Sequence, residues 1–236
     1  KKSLHILLKK LCEIRGIRWI RILYCYPEEI YDELIETIRD EKKICHYLDI
    51  PIQHASDRIL KRMGRRTSKQ ELIDIVGKLR KEIPDIVLRT TLITGFPGET
   101  EEDHEELKEF VDEMEFDRLG VFTYSPEENT PAAEMADQVP EEVKEERRDE
   151  LMELQQEISY DRGQDRIGQE LLVMIEGKVA DESAYIGRTY GDAPKVDGYI
   201  FVQTGELLMT GDFAKVRVTG ALEYDLIGVL SDEYTE

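Results

Sequence analysis

Small polar residues and glycines gather directly after three predicted strands in the first half of the chain. Pro51–Asp57 (PIQHASD) follows the second strand, Gly95–Thr100 (GFPGET) the third, and Tyr124–Pro126 (YSP) the fourth. In parallel βα architectures the carboxyl ends of the strands meet at one edge, where ligands bind and reactions take place. We therefore expect these three segments to line one shared cavity.

The Gly95–Thr100 segment has two interpretations. Glycine supplies unusual φ angles, Pro97 fixes a bend and Thr100 caps the next helix, so the segment could be a tight turn and nothing more. Alternatively, the glycines let the backbone approach a planar ligand such as adenine, with Glu99 free to accept a hydrogen bond. The residues by themselves leave both interpretations open.

Four polar side chains near these strand ends could hold a ligand. Gln53, His54 and Ser56 together are a stronger signal than a lone histidine, which is more often structural. Arg89 lies on an otherwise apolar strand, where burial is costly without a carboxylate or ligand partner. No nucleophile–base pair, paired carboxylates or histidine-rich set accompanies them, so hydrolase and zinc-enzyme functions have little support.

The chain contains three cysteines, Cys12, Cys25 and Cys45, at intervals of 13 and 20 residues. An odd number with no paired spacing argues against a disulfide framework. Neither CxxC nor CxxxCxxC occurs, so no cysteine-built metal or cluster site is predicted. We expect reduced thiols in a cytoplasmic protein.

Helices and strands alternate over the first 125 residues, which predicts an α/β fold with a parallel sheet. Ser68 with Glu71, and Thr100 with Asp103, are spaced as helix caps. Only four strands can be counted, too few to close a barrel. They are predicted at Arg18–Cys25, His46–Gln53, Ile86–Thr94 and Leu119–Tyr124.

The pattern changes after Pro140. Glu141–Arg162 is a highly charged helix with a sparse apolar stripe at Val143, Leu151, Leu154 and Ile158, and beyond it the hydrophobic period becomes two. Five short strands there predict a small OB-like β-barrel. We therefore divide the chain into an α/β domain (1–140), a helical linker (141–168) and a β-domain (169–236). The five strands are predicted at Glu170–Gly177, Ala184–Tyr190, Gly198–Val202, Phe213–Thr219 and Tyr224–Leu230.

The charge is acidic throughout: 32 Lys and Arg against 52 Asp and Glu give −20, of which the β-domain contributes −8. Such a field repels phosphate and attracts basic partners, although an acidic surface can also serve solubility alone. No apolar run approaches the ~20 residues of a membrane span. Lys9 and Lys10 interrupt the apolar opening, which therefore does not read as a signal peptide. A secreted or membrane protein is not expected.

Three segments resemble the radical SAM methylthiotransferases: Ile50–Arg65 (IPIQHASDRILKRMGR), Leu92–Val111 (beginning LITGFPGET) and Val121–Ser125 (VFTYS). They are similar to the second half of that family's (β/α) barrel, and the β-domain resembles its TRAM domain. The resemblance covers nearly the whole chain. It implies a partial parallel barrel followed by a five-stranded antiparallel barrel.

Within the family, the sequence looks most like the branch that modifies an aspartate of a small-subunit ribosomal protein. Gln53–Ser56 reads Gln-His-Ala-Ser where tRNA-modifying members usually have Gln-Ser-Gly-Ser, and Gly187–Thr189 with Ala193–Gly198 is similar to the branch's TRAM signature. An acidic β-domain suits a basic ribosomal protein better than tRNA. Two alternatives remain: a tRNA methylthiotransferase, and a non-catalytic acidic protein-interaction module.

The resemblance implies S-adenosylmethionine and two [4Fe–4S] clusters as cofactors. One cluster would reduce S-adenosylmethionine to a radical that abstracts hydrogen from the aspartate β-carbon, and a methylthio group would then be added. The CxxxCxxC loop for that cluster is absent, as are the first barrel strands. We therefore expect a truncated chain, inactive by itself, without cluster or metal ligands.

By motif position, seven residues are expected at the S-adenosylmethionine site, while no catalytic residue is assigned. Gln53, Ser56 and Arg89 would form its polar edge. Ile93, Gly95 and Phe96 would contact adenine, and Tyr124 would close the cavity. Four aspartates of the β-domain are expected to dock the basic ribosomal protein: Asp192, Asp197, Asp212 and Asp225.

Overall fold

In a computed structural model, residues 2–231 are described. Contacts between residues divide the chain into two compact units, Lys1–Gln155 and Gln156–Glu236. The boundary falls inside the long helix α6 (Glu141–Gln164), the main part of the predicted linker. The three-part division at residues 140 and 168 stays a prediction.

The first unit contains a four-stranded parallel sheet in chain order, as predicted. Strand β2 was predicted to reach Gln53 but ends at Asp49, because Pro51 has no N–H to continue the ladder. Gln53 instead forms an isolated parallel bridge with Leu92. The strands are β1 (Ile20–Ile22), β2 (Ile44–Asp49), β3 (Val87–Thr94) and β4 (Arg118–Thr123).

Both helix caps predicted in this unit are confirmed. The Ser68 amide donates to Glu71 at 2.8 Å, and the Thr100 amide donates to Asp103 at 2.9 Å. Each cap satisfies an amide that the first helical turn cannot pair. A 3-10 turn at Pro27–Glu29 precedes α2. The helices before α6 are α1 (Leu4–Cys12), α2 (Asp32–Asp40), α3 (Asp57–Arg62), α4 (Lys69–Glu82) and α5 (Glu101–Met114).

Strand β3 shows how the sheet is covered. Its residues 88, 90, 92 and 94 are all 0% exposed, whereas Arg89, Thr91 and Ile93 on the other face are partly exposed. Successive side chains of a strand point to opposite faces. One face of β3 is therefore fully buried in the core, and the partly exposed face carries Arg89 and Ile93, two of the predicted ligand residues.

The second unit contains a closed five-stranded barrel, as predicted, and its strands follow the order β5-β6-β7-β9-β8. The expectation that it is antiparallel throughout needs one correction, because β7 and β9 pair in parallel, with Ile200 opposite Leu226. Strand β8 lies between them in sequence and runs antiparallel to β9, so β9 returns in the direction of β7. The strands are β5 (Glu170–Lys178), β6 (Ala184–Arg188), β7 (Ile200–Gln203), β8 (Phe213–Ala221) and β9 (Leu226–Leu230).

The core of the barrel is built from alternating residues of its strands. Val173, Ile175, Ile200, Val202 and Val216 are all 0% exposed in one hydrophobic cluster. Gly187 and Gly228 face this core at points where a Cβ would lie 2.4 Å from Val173 and 2.5 Å from Val216. Glycine is therefore required at both positions for the barrel to close.

Candidate functional site

Gln53 lies at the carboxyl edge of the sheet in a backbone conformation unusual for a residue with a side chain. Its φ is +75°, its amide donates to the Thr91 carbonyl at 2.9 Å, and its carbonyl accepts from the Ile93 amide at 2.8 Å. These bonds attach the residue to the end of β3. Its side-chain Oε1 is buried without a hydrogen-bond partner, which makes it a candidate ligand group.

The loop after β3 is organised by the carboxylate of Glu99. Glu99 Oε2 accepts hydrogen bonds from the Gly95 amide at 2.8 Å and the Phe96 amide at 3.3 Å, and its side chain is 0% exposed. The expectation that Glu99 would be free to accept a ligand's hydrogen bond is therefore wrong. Gly95 and Gly98 have φ of +69° and +82°, which favours glycine at both positions.

Tyr124, directly after β4, is joined to this loop. Its amide donates to the Thr94 carbonyl at 2.8 Å, and its ring meets Phe96 edge to face with 5.2 Å between centroids. Ile59, Phe96 and Tyr124 form a buried apolar cluster, with Ile93 packed against it. The Tyr124 hydroxyl is buried in the described structure without a hydrogen-bond partner.

The structure thus brings together five of the seven predicted cofactor residues: Gln53, Ile93, Gly95, Phe96 and Tyr124. They combine an apolar wall and a glycine backbone with two polar atoms, Gln53 Oε1 and the Tyr124 hydroxyl, that lack partners inside the protein. A buried polar group without a partner costs free energy that a ligand can recover. This arrangement fits the adenosine part of S-adenosylmethionine.

Ser56 lies nearby, but its hydroxyl already has a partner. Its Oγ donates to Asp103 Oδ1 at 2.7 Å, and its amide donates to His54 Nδ1 at 3.0 Å. Burial favours a raised pKa for Asp103, but hydrogen bonds from Arg58, Ser56 and Thr100 outweigh it and hold the pKa well below its usual range. Ser56 therefore connects α3 to the start of α5.

Arg89 lies five residues before the end of β3, on the same face of the strand as Thr91 and Ile93. The carboxylate that its burial requires is Asp49 on the neighbouring strand, 2.9 Å from Nη1, and the Thr91 hydroxyl accepts from the same nitrogen at 3.2 Å. In this structure the Arg89 guanidinium is therefore held by neighbouring side chains of the sheet.

Helix α6 contributes two residues to this region that were not among the predicted site residues. Lys144 and Arg147 are only 5% and 6% exposed, and Arg147 Nη1 lies 3.0 Å from Glu99 Oε1. Their spacing with the fully buried Leu151 and Gln155 is three, four and four residues, which is one face of a helix. This helical spacing was present in the sequence. It does not resemble a buried face, because three of its four residues are polar or charged.

The three cysteines show no sign of holding a cluster. Burial, and then the nearby Asp49 carboxylate, raise the pKa of Cys25 to about 11, so its thiol stays protonated at neutral pH. Thiolates are the form that binds metal. Within residues 2–231 no three His, Cys, Asp or Glu side chains are grouped as a metal site. The residues described here therefore do not fit an iron–sulfur cluster.

The four aspartates predicted to dock a partner all accept hydrogen bonds from backbone amides of the β-domain, within turns for the first three and across 26 residues for Asp225. Asp192 is 3% exposed and accepts from the Thr189 amide at 3.0 Å and hydroxyl at 2.6 Å. The other three are partly exposed, and each accepts from a backbone amide: Asp197 from Ala193 at 2.8 Å, Asp212 from Met209 at 2.8 Å and Asp225 from Tyr199 at 2.7 Å.

Comparison with known families supports both parts of the described fold. Residues 2–111 match the Radical SAM superfamily, and residues 167–230 match the TRAM domain. Coproporphyrinogen III oxidase (HemN) from Escherichia coli, a radical SAM enzyme, superposes with a TM-score of 0.56 at 18% identity, over 81% of this chain and 50% of its own. That likeness concerns the fold alone. No helix in residues 2–231 has the length and apolar character of a membrane span.

Curated relatives are much closer in sequence. "Ribosomal protein uS12 methylthiotransferase RimO" of Lachnoclostridium phytofermentans is 66% identical over 97% of this chain and 52% of its own length. The protein of the same name from Clostridium botulinum (strain Langeland) is 53% identical over 100% of this chain and 53% of its own length. The chain spans about half the length of the curated relatives it matches. Residues 2–111 are therefore similar to the radical SAM superfamily and residues 167–230 to the TRAM domain, and the chain is similar over nearly its whole length to the uS12 methylthiotransferases called RimO.

Proposed function

We propose that this chain is part of a radical SAM methylthiotransferase that adds a methylthio group to the β-carbon of an aspartate in ribosomal protein uS12. The site observation that carries the proposal is the pair of buried atoms without partners, Gln53 Oε1 and the Tyr124 hydroxyl, beside the Gly95–Glu99 loop. The substrate is inferred from relatives that are 52% to 66% identical and bear that name.

The proposed role of the strand-end residues is to bind and orient S-adenosylmethionine. Ile93 and Phe96 would pack on adenine, the Gly95 backbone would approach its edge, and Gln53 and Tyr124 would supply hydrogen bonds. Ser56 and Arg89 stay in the proposed set as the polar edge, although in this structure they bond to Asp103 and Asp49. When bound, the cofactor and its clusters supply the radical and sulfur chemistry, and the protein positions and shields the reacting groups.

We infer that the cluster ligands lie outside this chain, because its three cysteines are 13 and 20 residues apart, without the CxxxCxxC spacing. Cys25 and Cys45 are buried, and burial followed by the Glu41 carboxylate also raises the pKa of Cys12. The chain by itself would then bind neither of the two [4Fe–4S] clusters and would be inactive. A CxxxCxxC segment upstream supports this inference, and its absence would favour the non-catalytic interaction module.

The proposed partner is uS12, a basic protein. The proposed location of the interaction is the cytoplasm, where ribosomes are found. The β-domain carries 13 acidic against 5 basic residues, a charge that attracts a basic partner and repels tRNA phosphate. Asp197, Asp212 and Asp225 are partly exposed, so they could contribute to docking while accepting their backbone hydrogen bonds. Asp192 would act mainly through the turn it stabilises. Binding of uS12 should weaken steeply as salt is raised.

The experiment that tests the function uses the full-length protein, reconstituted anaerobically with iron and sulfide. It is incubated with S-adenosylmethionine, reductant and sulfide, and with uS12 or bulk tRNA in separate tubes. Mass spectrometry is expected to find one methylthio group on a uS12 aspartate. Addition only to tRNA would favour the tRNA-modifying branch, and addition to neither would overturn the proposal.

A further inference from the structure

Two basic side chains of helix α6 are buried against the Gly95–Glu99 loop. Lys144 is 5% exposed and Arg147 is 6% exposed. Lysine and arginine are almost never buried to this extent without partners, because removing a charge from water is costly. Their hydrogen-bond and ion-pair partners therefore indicate the role of this face of the helix.

Arg147 holds the carboxylate that organises the loop. Its Nη1 donates to Glu99 Oε1 at 3.0 Å and to the Glu99 carbonyl at 3.3 Å, and its Nη2 donates to Glu101 at 3.1 Å. The other oxygen of Glu99 accepts from the Gly95 and Phe96 amides. One carboxylate thus connects the helix to the loop backbone.

Lys144 covers the same loop at its glycine. A Cβ at Gly95 would lie 2.1 Å from Lys144 Cγ, so the lysine stem rests directly on the Gly95 backbone. Its Nζ donates to the Tyr124 carbonyl at 2.9 Å, and its own carbonyl accepts from the Thr94 hydroxyl at 3.1 Å. Lys144 thereby connects the end of β3 to the residue after β4.

We propose that Lys144 and Arg147 are positioning residues of the S-adenosylmethionine site, which hold the Gly95–Glu99 loop in the form that presents its backbone to adenine. The proposal rests on the proposed function, because it concerns the same site. Neither residue needs to touch the cofactor. Because their contacts order the loop before the ligand binds, the free energy of ligand binding is not reduced by the cost of ordering the loop.

The test compares Arg147→Met with Arg148→Met in the full-length, cluster-reconstituted protein. Arg148 is the next residue, and its side chain is 36% exposed and pairs with Asp149 at 2.7 Å. Hydrogen exchange at the Gly95 and Phe96 amides and the dissociation constant for S-adenosylmethionine are measured for each variant. For Arg147→Met we expect exchange to be at least about tenfold faster and the dissociation constant to rise about tenfold.

Two further variants separate positioning from general loss of folding. Arg147→Lys keeps a charge that can bond one oxygen of Glu99 and is expected to recover part of both effects. Lys144→Met keeps most of the stem that covers Gly95 but loses the bond to the Tyr124 carbonyl, so it should weaken binding less than Arg147→Met. Exchange at Val173 and Val216 in the barrel is expected to stay unchanged in all of them.

The outcomes distinguish this inference from the proposed function. If the wild-type protein does not bind S-adenosylmethionine, the proposed function fails and this inference fails with it. If the wild-type protein binds but Arg147→Met binds equally well, the inference alone is overturned, whatever the amide exchange shows. Faster exchange together with weaker binding, in Arg147→Met and not in Arg148→Met, supports it.

Discussion

Arg147 and Glu99 form a buried ion pair across 48 residues of sequence, with 3.0 Å between Nη1 and Oε1. Both side chains are buried. The pair joins a helix that looks solvated in sequence to the loop at the centre of the candidate site. A buried pair of this kind adds little stability over apolar residues, but breaking it by removing one partner is strongly destabilising.

The first prediction concerns this pair. Arg147→Met leaves the Glu99 charge buried without its counter-ion and is expected to lower the free energy of unfolding by about 3 kcal/mol, measured by urea denaturation. In the double variant Arg147→Met with Glu99→Gln, that uncompensated charge is gone. The double variant should therefore lose less than the sum of the two single variants. Additive losses would contradict the pairing.

A second prediction separates two costs at Gly95. Gly95→Ala meets both a φ of +69° and a Cβ contact of 2.1 Å with Lys144. Gly64 has a similar φ of +73° with nothing within 4 Å of a Cβ, so Gly64→Ala measures the backbone strain alone. We expect a loss of about 1 kcal/mol for Gly64→Ala and a clearly larger loss for Gly95→Ala, by thermal or urea unfolding.

Gly77 supplies the control for this series. It lies inside helix α4, with no positive φ and nothing within 4 Å of a Cβ. Gly77→Ala should therefore stabilise the protein by about 0.5–1 kcal/mol, because alanine is the better helix former. If Gly95→Ala and Gly64→Ala lower the free energy of unfolding equally, Lys144 moves aside without cost.

A third prediction follows from the lowered pKa of Asp103. Its hydrogen bonds to Arg58, Ser56 and Thr100 stabilise the charged form in the folded state. The folded pKa lies below the unfolded value of about 3.9, so the stabilisation is fully present above that pH and is lost as pH falls through the folded pKa. Asp103→Asn is expected to cost about 2 kcal/mol at pH 7 and progressively less below pH 4, by urea denaturation across pH.

Asp112→Asn is the matched control for Asp103. It lies on the same helix α5 and is exposed. Its effect on the free energy of unfolding should stay within about 0.5 kcal/mol at every pH. If the loss of unfolding free energy in Asp103→Asn is the same at pH 7 and pH 3, the charge of Asp103 is not what stabilises the fold.

The fourth prediction concerns the Tyr124 hydroxyl, which is buried without a hydrogen-bond partner. Removing such a group can be neutral or stabilising, so Tyr124→Phe should not lower the thermal unfolding temperature. The same change should weaken S-adenosylmethionine binding in the reconstituted protein, because the ligand loses a partner. Tyr185→Phe is the contrast, since the Tyr185 hydroxyl donates to the Glu206 carbonyl at 3.3 Å and accepts from the Leu208 amide at 3.2 Å, and its loss should destabilise the barrel.

A fifth prediction concerns Cys25, whose pKa burial raises to about 11. At pH 8 the thiol is almost entirely protonated, so alkylation by iodoacetamide in the folded state should be slow, and should become fast in urea. Because the folded state holds this proton more tightly, its contribution to stability is present below the unfolded pKa near 9 and is lost as pH rises from 9 to 11. Rapid alkylation of folded protein at pH 8 would contradict this burial.

Much of the fold could be predicted from local patterns. The Ser68–Glu71 and Thr100–Asp103 caps act within four residues, and the alternation of β3 reports burial on one face. Both signals depend on neighbours in sequence. That is why helix starts and strand positions agreed with the structure, while strand β2 differed where Pro51 interrupts its ladder.

The candidate site was predictable only in part. Gln53, Gly95, Phe96 and Tyr124 follow strand ends, and a parallel sheet brings such ends to one edge. Whether each polar side chain is free to bind a ligand depends on hydrogen-bond partners far away in sequence. Ser56 bonds to Asp103, and Arg89 bonds to Asp49.

The α/β sheet, the five-stranded barrel and the family resemblance can be predicted from the amino-acid sequence, since these depend on hydrophobic period, capping and ordered motifs. The parallel pairing of β7 with β9 and the burial of Asp192 in a turn are visible only in the folded chain. The same is true of the contacts that bring Lys144 and Arg147 to the candidate site. A charged side chain is expected to be solvated until its counter-ion is known, and Glu99 reaches Arg147 only when the chain has folded.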